Sequence, residues 1–149
     1  MKIRHQGGFL MSKINHLSGR IFARMLKAYE IDINPAQGRI MFVLWQQGAV
    51  PIHELAKKTS LGKSTLTNML DRLENAGLIV RERSETDRRV IFVKQTEKDR
   101  SRQRIYERVS EEMSDIYYAG LSSAEISRFE RTLEKILDNL VRHETEEAT

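Results

Sequence analysis

The feature that most constrains this chain is a change of hydrophobic period at Gly77. Before it, Leu66, Met69, Leu70, Leu73 and Ala76 recur at three- and four-residue steps, the stripe of an amphipathic helix, and Gly77 supplies a left-handed stop. After it come two short runs with β-branched residues, Ile79 to Arg83 and Val90 to Gln95, separated by the polar stretch Ser84 to Arg89. That pattern predicts a β-hairpin with a long loop. Upstream, Ile52, Leu55 and Ala56 mark a short helix from about 52 to 59, and Ser60-Leu61-Gly62 makes a tight turn into the next helix. Two short helices joined by a three-residue turn and followed by a hairpin predict a winged helix-turn-helix.

Long helices flank this core. Phe9, Leu10, Ile14, Leu17, Ile21, Phe22, Met25, Leu26 and Tyr29 predict a first helix over roughly 9 to 30. Asn34 followed by Pro35 is an N-cap with a first-turn proline, and the helix it opens carries Ile40, Met41, Val43, Leu44 and Trp45 before Gly48 stops it. After the hairpin, Thr96 with Asp99 reads as a capping box for a helix containing Ile105, Val109, Met113, Ile116 and Tyr117 and reaching about Gly120. Ser122 with Glu125 caps the last helix, whose stripe is Ile126, Phe129, Leu133, Ile136, Leu137, Leu140 and Val141. The predicted class is mainly α with a small β-hairpin wing. Three parts are expected: a dimerisation helix over 1–32, the winged helix-turn-helix over 33–97, and dimerisation helices over 98–149.

Charge separates along the chain. Residues 1–109 hold 21 basic and 11 acidic side chains, whereas residues 110–149 hold 4 and 10, so one end suits a polyanion and the other does not. The absence of cysteine excludes a disulfide framework, a thiolate zinc site, a cysteine nucleophile and a thiol redox sensor. The longest apolar stretch, Ile40 to Trp45, is far shorter than the roughly 20 residues a membrane span needs. Lys2 and Arg4 are followed by Gly7, Ser12 and Lys13 rather than by a secretory apolar core, so the expectation is a cytoplasmic protein without a membrane partner. No glycine-rich phosphate loop or nucleophile elbow is present. His53-Glu54 opens a zincin motif, but Lys57 stands where the second histidine belongs. His5 and His16 would share a helical face only if the helix reached back across Gly7 and Gly8, and His53 and His143 have no paired ligand spacing, so no enzyme activity, cofactor or metal is expected.

The second helix of the motif decides whether double-stranded DNA is a plausible partner. Opposite its apolar stripe it presents Lys63, Ser64, Thr65, Thr67, Asn68, Asp71, Arg72 and Asn75. A merely solvated face usually alternates Glu and Lys; this one is rich in hydroxyls and amides. Asn68 suits an adenine edge, Arg72 a guanine or a phosphate, and the threonine methyls a thymine. The hairpin loop, Ser84 to Arg89, is flanked by Arg81 and Arg83. Arg88 or Arg89 at such a tip suits a narrow minor groove, with Asp87 orienting a neighbouring guanidinium by a bidentate pair. Both chain ends carry apolar stripes beyond the needs of a small winged core. A two-fold dimer would cover them and set two recognition helices about 34 to 36 Å apart.

Glu54-Leu55-Ala56, Ser64-Thr65-Leu66-Thr67, Leu70-Asp71-Arg72-Leu73-Glu74, Gly77-Leu78-Ile79, Arg81, and Asp87-Arg88-Arg89 leading to Thr96 together resemble the MarR family of transcriptional regulators, over nearly the whole chain. The resemblance implies a homodimeric repressor on a pseudo-palindromic operator, released by a small anionic or phenolic effector. It implies that Ser64, Thr65, Thr67, Asn68 and Arg72 face bases or phosphates and that Arg89 enters the minor groove. The chain departs from the family pattern at Pro51 and Gly62, where hydroxyl caps are common, at Gln95, where Leu is usual, and at Asp99, where Gly is common. An effector site is expected between the dimer helices and the winged core, with His16, Arg20, Tyr29 and Trp45 as contacts to an anionic aromatic ligand. The competing reading is a winged-helix module that binds protein or RNA without sequence-specific DNA recognition.

Overall fold

The computed structural model describes residues 1–148. Two compact units divide the chain after Met113. In the first, α1 (Gly7–Lys27) begins two residues earlier than its apolar stripe implies and ends three residues short of Glu30. The early end has a local cause. Glu30 turns into the left-handed region at φ 60°, Ile31 N–H donates back to the Leu26 carbonyl at 3.1 Å, and Ile31 is thereby buried.

α2 (Pro35–Gln47) starts on a full capping box: Asn34 Oδ1 accepts from Gln37 N–H at 2.8 Å, and Gln37 Oε1 accepts from Asn34 N–H at 3.1 Å. A two-residue strand, β1 (Val50–Pro51), follows. It is too short to leave an alternation in the sequence, and its proline is tolerated because the strand lies at a sheet edge. α3 (Ile52–Thr59), a turn with Ser60 at φ 55°, and α4 (Lys63–Asn75) form the helix-turn-helix. Neither Pro51 nor Gly62 caps its helix through a side chain, as those two departures imply.

Gly77, at φ 76°, ends α4 in a Schellman turn, with Leu78 N–H donating to the Leu73 carbonyl at 3.0 Å. β2 (Ile79–Arg83) and β3 (Ile91–Gln95) then pair antiparallel with Arg81 opposite Val93, and the sheet order is β1-β3-β2. Val90, expected in the strand, closes the loop instead: its N–H donates to Asp87 and its carbonyl accepts from Ser84. The inward faces bury Ile40, Met41, Leu44, Leu55, Leu66, Leu70, Leu73, Ile79 and Val93 in one core.

α5 (Glu97–Tyr117) joins Leu26 and Ile31 through Val109 in a second core, lined by Phe22 and Tyr106. Only half of the expected Thr96–Asp99 capping box forms: Thr96 Oγ1 accepts from Asp99 N–H at 3.4 Å, but the reciprocal bond is missing. Thr96 N–H is taken by the Leu78 carbonyl and its hydroxyl donates to the Gly77 carbonyl at 2.6 Å, so Asp99 has no N–H to reach back to. Asp99 turns inward, 3% exposed, and its Oδ2 accepts from Trp45 Nε1 of α2 and from Gln95 Nε2 at the end of β3, each at 2.7 Å. The second unit holds the end of α5, which stops at Tyr117 rather than Gly120, and α6 (Ser123–Glu147). The Ser122–Glu125 capping box opens α6, which buries no residue.

Two polar ties fix the wing. At one end is Asp99. At the other, Arg81 on β2 reaches two carboxylates of α4: its Nη2 donates to Asp71 Oδ1 at 2.7 Å and to Glu74 Oε1 at 2.9 Å, while its backbone N–H donates to Glu74 Oε2 at 3.1 Å. The guanidinium holds the Glu74 carboxyl below its ordinary value of 4.5.

Two outcomes follow. Asp99→Ala strands a half-buried indole N–H and removes one of two acceptors of the Gln95 carboxamide, so it should lower unfolding free energy by about 1 to 3 kcal/mol in urea titration, with Asp99→Asn losing less. Because the folded-state value of Glu74 is depressed, its contribution is complete above pH 4.5 and is lost as pH falls through that depressed value. The urea midpoint of the native chain should therefore fall more steeply below pH 4.5 than that of Glu74→Gln.

Candidate nucleic-acid interface

The polar face of α4 is built by the burial of the opposite one. With Leu66, Met69, Leu70 and Leu73 turned into the core, helical geometry leaves Lys63, Ser64, Thr65, Thr67, Asn68 and Arg72 exposed. Among the described residues, none of these six side chains makes a hydrogen bond or an ion pair, so their donors and acceptors are open to a ligand. The helix start is also electropositive. Gly62 brings no capping side chain and the first turn holds no acid, so the first N–H groups and the positive end of the helix dipole are unneutralised. The acid on this face, Asp71, is neutralised by Arg81.

The wing loop is stiffened from within. Ser84 Oγ accepts from the N–H groups of Thr86 and Asp87, each at 3.3 Å, and Arg83 Nη1 donates to the Arg88 carbonyl at 3.0 Å. Asp87 accepts from Arg89 Nε at 3.1 Å and Nη2 at 3.2 Å, the bidentate pair expected from the sequence. These hydrogen bonds hold the Asp87 carboxyl below its usual range. Arg89 nonetheless stays 91% exposed on its side chain, an oriented cation at the loop. Arg88 is exposed beside it.

The expected site residues therefore divide by task. Those of α4, with Arg88 and Arg89, present free or outward-facing groups. Arg83 braces the loop, and Arg81, 25% exposed and held by two carboxylates that raise its pKa, ties the wing strand to α4. Sequence reading did not find this clamp, because Asp71 and Glu74 sit on a helix face whose neighbour is set only by strand pairing. Of the four expected effector contacts, His16, Arg20 and Tyr29 are exposed on α1 and the turn after it. Trp45 borders a cavity of 90 Å³ and another of 280 Å³, both also bordered by Tyr106 of α5 and neither by His16, Arg20 or Tyr29. Tyr106 packs edge-on to Trp45, ring centroids 4.4 Å apart, and to Phe22 at 5.2 Å. Burial pushes its phenol up. Among the described residues, no helix is long and apolar enough to cross a membrane.

Residues 33–91, the whole helix-turn-helix and most of the wing, match the MarR family model. The HTH-type transcriptional regulator FarR of Neisseria gonorrhoeae is 32% identical over 90 residues, which are 60% of this chain and 60% of that protein's own length. A mutant of MarR from E. coli complexed with operator DNA superposes with a TM-score of 0.73 at 26% identity, covering 87% of this chain and 92% of that one. BpsR of Bordetella bronchiseptica, whose DNA binding is regulated by 6-hydroxynicotinic acid, gives a TM-score of 0.80 at 22% identity, covering 93% and 97%. The same winged core and a matched segment that includes the open face of α4 make this chain similar, over its helix-turn-helix and most of its wing, to the MarR family of winged helix-turn-helix transcriptional regulators.

Proposed function

We propose that this protein is a homodimeric repressor that binds a pseudo-palindromic operator, α4 entering the major groove and the β2–β3 loop the adjacent minor groove, and that a small effector releases it. The observation that carries the reading is the unpartnered hydroxyl, amide and guanidinium face of α4 beside an outward-facing, oriented Arg89. A major groove admits one helix, and its base edges require the donors and acceptors that Asn68 and Arg72 leave free. Arg89 suits the negative potential of a narrow minor groove. Lys63, Ser64, Thr65 and Thr67, near the helix start, serve phosphates and sugar edges.

The dimer is supported by what one copy leaves uncovered. Phe9 at 66% exposure, Leu10 and Ile14 at one end of the chain, and Leu137, Leu140 at 61% and Val141 at the other, form stripes that water does not favour. A two-fold axis through both ends covers them and places two α4 helices one DNA turn apart.

Selection of bound sites from a random duplex library should return an inverted repeat. Asn68→Ala should cost about 1 to 3 kcal/mol at one base position, and Arg89→Ala should weaken binding to all duplexes while reducing the salt slope by about 1. Enrichment of no sequence, with equal affinity for every duplex, would instead support the protein- or RNA-binding module. Replacing Leu137 and Leu140 together by Glu should convert a dimer to monomer in sedimentation velocity. A native chain that sediments as a monomer would sink the dimer.

A further inference from the structure

We infer that the 280 Å³ cavity between α2 and α5 takes a small aromatic cation, so that the molecule acting on this protein is an amine rather than an acid. The inference rests on the proposed function only for its consequence at DNA; binding to the cavity is independent of it.

The cavity wall is aromatic. Trp45 and Tyr106 meet edge to face and Phe42, 54% exposed, stands beside them. Trp45 has already given its N–H to Asp99 at 2.7 Å. What it offers a ligand is ring face, whose negative quadrupole attracts cations. The opposite rim is a single row of α5, Gln103, Glu107 and Glu111, spaced four residues apart and so stacked along one side of the helix. Gln103 Nε2 donates to Glu107 Oε1 at 2.8 Å, which leaves the other carboxylate oxygen open. Glu111 has no hydrogen bond or ion pair among the described residues. Two like charges at this spacing repel each other, and no Lys, Arg or His lines the cavity to relieve them.

An anion in this cavity would meet two carboxylates and no cation. The residues expected to receive one, His16 and Arg20, do not line it. An ammonium group would relieve the repulsion between Glu107 and Glu111 while its ring packs on Trp45 and Tyr106. A volume at the small end of ligand pockets suits one ring or two fused rings. The route to the DNA-binding core is short. Trp45 is one hydrogen bond from Asp99, and Asp99 one more from Gln95 at the end of the wing strand.

Trp45 is the only tryptophan of the chain, so its fluorescence reports on the surroundings of its own ring, and Glu107 and Glu111, which line this cavity and not the 90 Å³ one, tell the two apart. The probes are phenethylamine, phenethyl alcohol and hydrocinnamate, which share a ring and differ in charge. The amine should give a saturable shift at an affinity about tenfold above that of the alcohol, and hydrocinnamate should give none. Replacing Glu107 and Glu111 together by Gln should bring the amine down to the alcohol's affinity without lowering the unfolding midpoint. Equal affinity for all three probes, tighter binding of hydrocinnamate, indifference of the amine to the double substitution, or no saturable shift with the amine would each overturn the assignment. Anisotropy titration of the ligand-free protein on its selected operator separates the two readings. Operator binding without amine binding overturns the ligand class alone, and amine binding without operator binding overturns the DNA reading alone.

Discussion

A carboxylate removed from water must find donors, and Asp99 finds them on two different elements. Burial of an unpaired charge costs several kcal/mol, so the Asp99 position is tenable only while Trp45 of α2 and Gln95 of β3 both point at it. That requirement fixes three things together: the orientation of the start of α5, the rotamer of the indole, and the end of the second wing strand. Gln95 also donates to Gln103, one turn further along α5. Gln95 and Asp99 were separate departures from the family pattern in the sequence; in the fold they are two halves of one contact. A leucine at the first position would offer Asp99 nothing, and a glycine at the second would leave the indole N–H without its acceptor and the Gln95 amide with Gln103 alone.

At the other end of the wing the logic is reversed, because the Arg81 clamp is partly exposed and its worth lies in geometry. Surface ion pairs contribute little net stability, about 0 to 1 kcal/mol. Arg81 nevertheless engages Glu74 through both its guanidinium and its backbone N–H, which fixes the strand against α4 in a way a single charge contact would not. It also neutralises Asp71, the acid on the face that would meet phosphates. A basic residue counted toward DNA in the sequence is thus already engaged, pairing with an acid and holding the wing strand against α4.

The cavity against α2 and α5 shows why likeness to a family does not pass on its ligand. The helix framework is shared with proteins at 22 to 26% identity, and framework follows from apolar spacing that many side chains satisfy. The charge in a cavity depends on a few rim positions that the fold leaves free. Here those positions are Glu107 and Glu111, and they set a preference of sign that the resemblance alone would have reversed.

The periods of Leu66 to Leu73 and Ile79 to Gln95, the stop at Gly77 and the cap at Asn34 determine the element order and the polar face of α4, because these are local properties of spacing and of backbone conformation. The Asp87–Arg89 pair was legible for the same reason, its partners lying two residues apart. What lay beyond reach had partners distant in the chain. The strand Val50–Pro51 exists because Val93 and Phe92 come to it, the Asp99 side chain turns inward because Leu78 takes the N–H of Thr96, and Arg81 is spoken for by α4. The sequence by itself determined which groups this protein has to offer; the tertiary structure decided which of them are already used, since a donor or charge is free only when folding has brought it no partner.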